Sequence, residues 1–156
     1  MAKADKGATM SRLQSAARLS RTALAARLLN HGFYAGQDQI MLALDHEDGQ
    51  TPGQLAGRLG VRPPTITKTI NRLQVQGFLD KRASESDARQ AHIFLTDTGR
   101  EAIKAIEKSV RKTEKQALKG LDKKEQKTLA KLLQRVEANL SSSELVEIDD
   151  EVETEE

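Results

Sequence analysis

Hydrophobic periodicity along this chain predicts a mostly α-helical fold carrying one small β-hairpin. Four segments before residue 77 read as helices, most clearly the fourth, where Ile66, Ile70 and Leu73 repeat at spacings of four and three. Between residues 78 and 95 the period shortens to that of two strands flanking a polar loop. Helical spacing then resumes and lasts to residue 140.

The first helix is predicted from Thr9 to Asn30, with Leu13, Ala17, Leu24 and Leu28 on compatible turns and Arg12, Arg18, Arg21 and Arg27 between them. Gly32 interrupts it. A second helix covers Gln37 to Asp45 through Ile40, Leu42 and Leu44, and stops in the polar stretch His46 to Gln50. Thr51 then marks a start: its hydroxyl can cap free backbone N–H groups, Pro52 suits the first helical position and Gln54 completes a capping box. Leu55, Ala56 and Leu59 face inward on this short helix, and Gly60 ends it.

Pro63 opens the fourth helix, which runs to Gln76 with Ile66, Ile70 and Leu73 as one buried stripe and Gly77 as its stop. Phe78–Arg82 and Ala91–Leu95 are the two expected strands, around the solvent loop Ala83–Gln90. Thr96 can cap a long helix with Ile103, Ile106, Val110 and Ala117 on one face. Leu121 and Asp122 break and restart the helix, Asp122 with Glu125 forming a second capping box. The last helix carries Leu129, Leu132, Leu133, Val136 and Leu140.

Composition narrows the function classes. The 156 residues include no cysteine, which excludes disulfide frameworks, thiolate zinc sites and cysteine nucleophiles. No apolar run approaches the roughly 20 residues that span a bilayer, and Met1–Met10 lacks the apolar core of a secretory signal. A cytoplasmic location without a membrane partner is the expectation. The net charge of +2 conceals an asymmetry: residues 141–156 hold eight acids and no base, so the remainder carries 25 bases against 15 acids. A basic body of this kind suits a polyanion, because each neutralised phosphate releases counterions. The acidic segment itself has the composition of a disordered tail.

Two short helices joined by a tight turn and followed by a hairpin make a winged helix-turn-helix, whose second helix is sized for the DNA major groove. With Ile66, Ile70 and Leu73 inward, the opposite face offers Pro64, Thr65, Thr67, Lys68, Asn71 and Arg72. Thr65, Thr67 and Lys68 lie in the N-terminal half, the part best able to reach bases. In the wing, Arg89 can enter the narrow minor groove, where negative potential attracts a guanidinium. Asp87 can accept a hydrogen bond from Arg89 or the loop backbone and fix its aim, and Lys81 and Arg82 are candidate phosphate contacts. The bland alternatives are solvated polar residues on an amphipathic helix and a weak surface pair in the loop.

Several of these stretches resemble the MarR (multiple antibiotic resistance regulator) family: LAGRLGV, the run ITKTINRLQVQGFLDKR, Asp87-Ala88-Arg89 in the wing, and LTDTG from Leu95 to Gly99. The restart after Leu121 resembles that family's final helix. The resemblance implies a homodimeric winged helix-turn-helix regulator, with the first helix and the last two interlocking between subunits. It implies binding to double-stranded DNA at a pseudo-palindromic operator, as a repressor, with release by a small aromatic or anionic ligand. One departure stands out: Arg62 occupies the cap position where many relatives place Ser or Thr.

These readings divide the chain into a disordered tail (1–8), a dimerisation helix (9–36), a winged helix-turn-helix (37–96), C-terminal dimerisation helices (97–140) and an acidic disordered tail (141–156). Dimerisation also follows from the Leu-rich terminal stripes, which a single chain has little else to bury. His31, Phe33 and Tyr34 lie where the resemblance puts an effector pocket, although packing at a helix junction would look the same. His31, His46 and His92 show no metal-ligand spacing, and no phosphate loop, serine elbow or nucleophile–base pair appears. No cofactor and no enzymatic activity are expected. The alternatives are an architectural DNA binder and a winged-helix protein-interaction module.

Overall fold

Six helices and a two-stranded antiparallel sheet follow one another in the expected order among the residues that the computed structural model describes, 6–87 and 89–141. The expected acidic tail beyond residue 141 and the first five residues lie outside that range. The chain divides into two units, Met1–Ala117 and Leu118–Glu156.

The first unit contains α1 (Ala8–Leu29), α2 (Gln37–His46), α3 (Pro52–Leu59), α4 (Pro63–Val75), β1 (Leu79–Ala83), β2 (Ala91–Leu95) and α5 (Asp97–Ala117). Its core draws one or more residues from each element, among them Leu28, Ile40, Leu55, Ile70, Leu79, Ile93 and Ile106. Phe33 and Phe78 join this core with ring centroids 5.0 Å apart, a pairing worth about 0.5–1.5 kcal/mol beyond its buried area.

The helix starts obey local chemistry. Thr51 Oγ1 accepts from the Gln54 N–H at 3.1 Å and Gln54 Oε1 accepts from the Thr51 N–H at 2.9 Å, the anticipated capping box. Helix α4 begins without a side-chain cap on Arg62. None is required, because Pro63 and Pro64 have no N–H and the Thr65 and Ile66 N–H groups both reach Arg62 O, at 3.0 and 3.1 Å.

Several element ends shift by one residue from expectation, and two departures have a clear physical reason. Strand β1 starts at Leu79 rather than Phe78, because Gly77 turns the chain at φ 87° and the Phe78 N–H closes α4 on Leu73 O at 3.0 Å. Ala117 is exposed instead of continuing the inner face of α5. That face runs on through Ser109 and Thr113, whose hydroxyls are buried because they donate one turn back, to Ala105 O at 2.9 Å and Ser109 O at 2.8 Å.

The hairpin pairs Leu79 with Leu95 through Ala83 with Ala91. A third segment, unseen in the sequence, braces it: Gln50 bridges Ile93, with Ile93 N–H donating to Gln50 O at 2.8 Å and Gly49 N–H to Ile93 O at 2.9 Å. Asp48 Oδ1 accepts from the Leu95 N–H at 3.0 Å, and the His92 ring donates through Nδ1 to Gly49 O at 2.8 Å. The base of the wing is therefore stitched to the α2–α3 connection.

The second unit holds α6 (Lys123–Ser141). Asp122 Oδ1 accepts from the Glu125 N–H at 2.8 Å and Glu125 Oε1 from the Asp122 N–H at 3.1 Å, the second expected capping box. Leu129, Leu132 and Leu140 are exposed on this helix.

Thr96 fastens the start of α5. Its hydroxyl donates to Gly77 O at 2.6 Å and accepts from the Gly99 N–H at 3.0 Å. This draws Gly99 so close that a Cβ there would overlap the Phe78 carbonyl oxygen. Gly99→Ala is expected to cost about 1–3 kcal/mol of stability through overpacking, read as a lower urea midpoint at unchanged slope. An unchanged midpoint would show that the α5 start can move away freely.

Candidate nucleic-acid interface

Burial of Ile66, Ile70 and Leu73 sets the rotation of α4 about its axis. Pro64, Thr65, Thr67, Lys68, Asn71 and Arg72 are consequently all exposed, as the helical period requires. Thr67 and Thr69 hydroxyls donate to Pro63 O at 3.1 Å and Thr65 O at 2.9 Å, so each retains acceptor capacity. Among the described residues, neither Lys68 nor Arg72 forms an ion pair; the pairs present are Arg58–Glu47, Arg100–Asp48 and Arg100–Asp97. The face thus presents cations unneutralised by carboxylates.

The wing tip is shaped by its own backbone. Asp87 Oδ1 accepts from the Arg89 backbone N–H at 2.9 Å, Asp87 O from the Gln90 N–H at 3.0 Å, and Gln90 O from the Ser84 N–H at 2.9 Å. Asp87 therefore acts on Arg89 through the main chain and leaves the guanidinium unpaired among the described residues. Lower on the hairpin, Lys81 and Arg82 diverge. Lys81 Nζ donates to Asn71 Oδ1 at 2.7 Å, whereas the Arg82 guanidinium lies 4.6 Å from the Phe94 ring centroid. Strand alternation explains the split, since Lys81 shares a face with buried Leu79 and Arg82 points to the other.

The three residues considered for an effector pocket take separate places among the described residues. Phe33 is 2 % exposed and fills the core, where its apolar ring belongs against Phe78. His31 borders a small recess with Arg27, Lys108 and Lys112. Tyr34, 57 % exposed, borders a groove of about 950 Å³ whose other wall is α4 itself, through Pro64, Thr67, Lys68 and Arg72. Gln37 and Gln76 support this groove. Gln37 Oε1 accepts from the Tyr34 N–H at 3.0 Å, Gln37 Nε2 donates to Gln76 Oε1 at 2.9 Å, and Gln76 Nε2 donates to Gly32 O at 3.2 Å.

A separate cavity of about 390 Å³ lies among α1, α5 and the start of α2, lined in part by Leu24, Leu28, Val110 and Asp38. Burial raises the Asp38 pKa above the ordinary 3.8; backbone N–H groups of Asp38, Gln39 and Gly36 and the Arg21 charge oppose that rise. The periodicity of α2 gave no warning of this acid, which stands on the buried side of the helix's first turn.

Comparison with known proteins follows the same geometry. Residues 37–90, which hold α2 through the wing tip, match the family model described as MarR family. A HTH-type transcriptional regulator of Mycobacterium bovis, itself uncharacterized, is 36% identical over 73 residues, 47% of this chain and 51% of that protein. The chain therefore spans about half the length of the curated relatives it matches. Among solved structures, a MarR transcriptional regulator from Methanosarcina mazei superimposes with a TM-score of 0.81 at 19% identity, covering 88% of this chain and 92% of that one. A mutant MarR from E. coli complexed with operator DNA superimposes with a TM-score of 0.76 at 22% identity, covering 84% and 95%. These likenesses establish the fold.

The Asp38 environment carries its own test. Its native carboxyl binds the proton more tightly than the unfolded chain does, so the native state loses relative stability as pH rises from 3.8 through the elevated native pKa. Asp38→Asn removes that loss. Its stability relative to the unsubstituted protein should be higher at about pH 7 than at about pH 4 by urea denaturation, and an equal difference at both pH values would refute the shift.

Proposed function

From a winged helix whose residues 37–90 match the MarR family model, we propose that this chain is a MarR-family regulator: a cytoplasmic, homodimeric transcriptional repressor that binds a pseudo-palindromic DNA operator. One observation carries the reading: α4 turns Thr65, Thr67, Lys68 and Arg72 outward, with no carboxylate paired to the cations among the described residues. In this reading α4 lies in the major groove, with Thr65, Thr67, Lys68 and Arg72 at base edges or phosphates. Arg89, aimed by the Asp87–backbone hydrogen bond, enters the minor groove, and Arg82 contacts phosphate.

Dimerisation is supported by apolar side chains left exposed in each unit: Met10 and Leu19 on α1, and Leu129, Leu132 and Leu140 on α6. A twofold pairing of such faces would also set two recognition helices about one DNA turn apart. Effector release has a simple steric basis. A small aromatic anion seated beside Tyr34 in the α4 groove would occupy the surface that DNA requires and pair with Lys68 or Arg72.

Selection from random duplexes tests the whole reading. A regulator yields a twofold-symmetric consensus, an architectural binder yields enrichment without consensus, and a protein-interaction module yields neither. On the selected duplex, Arg89→Ala should weaken binding and flatten the dependence of log K on log salt by about 0.9 if one phosphate contact is lost; an unchanged slope and affinity remove Arg89 from the interface. Leu132→Glu should convert a dimer to monomer in sedimentation, and a monomeric unsubstituted protein would dismiss the dimer.

A further inference from the structure

The contact between Lys81 and Asn71 joins the wing to the exposed face of α4. Lys81 reaches it because of the strand period. It stands opposite fully buried Ile93 and shares the inward face of β1 with Leu79, so its stem follows apolar surface and its ammonium emerges beside the helix. Asn71 follows Thr67 by four residues and Lys68 by three, on the same helical face and in the same groove.

An ammonium only donates, so the group facing it must be the amide oxygen. The lysine thereby settles which way the Asn71 side chain is turned: Oδ1 toward the wing, Nδ2 away from it. An asparagine free to choose pairs with adenine through two bonds, accepting from N6 and donating to N7. With the ammonium 2.7 Å from Oδ1, one of that oxygen's two lone pairs is taken and the other lies beside a positive charge, so an approaching N–H donor is held less well and the bidentate arrangement is weakened. The amide then chiefly donates, which suits base edges that accept: O6 and N7 of guanine or O4 of thymine.

We propose that Lys81 is a specificity-positioning residue, which turns Asn71 into a reader that chiefly donates and so favours guanine or thymine over adenine at one base pair of each half-site. This rests on the reading that α4 enters the major groove. The remaining N–H groups of Lys81 are available to a neighbouring phosphate, which makes the same lysine an anchor for wing and helix together.

The test is random-duplex selection with the full chain, comparing the unsubstituted protein with Lys81→Met, Lys81→Arg and Asn71→Ala. Both positions are exposed, so the substitutions leave the core untouched. The expected result is a guanine or thymine position whose preference over adenine falls about tenfold in Lys81→Met, on the scale of one bidentate contact. The rest of the consensus persists, Lys81→Arg restores the preference, and Asn71→Ala erases it at the same position. The proposal is overturned if Lys81→Met weakens binding to all sequences equally and leaves the consensus intact, since Lys81 is then a phosphate contact alone. It is also overturned if the position that Asn71→Ala erases is adenine in the unsubstituted protein. Those outcomes leave the regulator reading standing, whereas an unsubstituted chain that enriches no consensus removes that reading and this proposal together.

Discussion

The burial of one apolar stripe on α4 governs what that helix displays at the surface of the first unit. Ile66, Ile70 and Leu73 are at most 2 % exposed, and truncating any of them would leave a cavity costing about 2–5 kcal/mol. That cost holds the helix at one rotation. Because the helical period couples the inner and outer faces, the outward direction of Thr67, Lys68 and Asn71 follows from the packing of their neighbours. The polar face itself need contribute nothing to folding and is open to selection for a ligand.

The wing depends on a different kind of restraint. A two-stranded hairpin alone is marginal in water, and here its base is held by the Gln50–Ile93 bridge, the Asp48–Leu95 hydrogen bond and the His92–Gly49 contact. The Arg100–Asp48 pair adds little, because Arg100 is more than half exposed and solvent screens the attraction. The hairpin that carries Arg89 is thus attached at its base and hydrogen-bonded through Asp87 and Gln90 near its tip. The Gln37–Gln76–Gly32 chain plays a matching part at the other end of α4, tying it to the segment that follows α1.

The groove beside Tyr34 and the cavity beside Asp38 hold two different chemistries. One is rimmed by cations on α4, and the other is mostly apolar with a single buried carboxyl. Phe33, which the sequence offered for a pocket, is instead consumed by the core. Aromatic rings beside a helix end satisfy packing and ligand binding equally well, and only the distances to Phe78 distinguish them.

Local chemistry made the architecture legible. Period, caps and stops are properties of neighbours in the chain, so the two capping boxes, the inward stripe of α4 and the order of elements could be read without coordinates. The exposed set Pro64, Thr65, Thr67, Lys68 and Arg72 followed from the same periodicity. What could not be read depends on residues far apart in sequence. Gln50 against Ile93, Gly99 against Phe78 and Lys81 against Asn71 are meetings that only the folded chain arranges. Periodicity says which way a side chain faces, but the tertiary structure decides what it meets there, because that depends on packing between elements and not on the spacing within one.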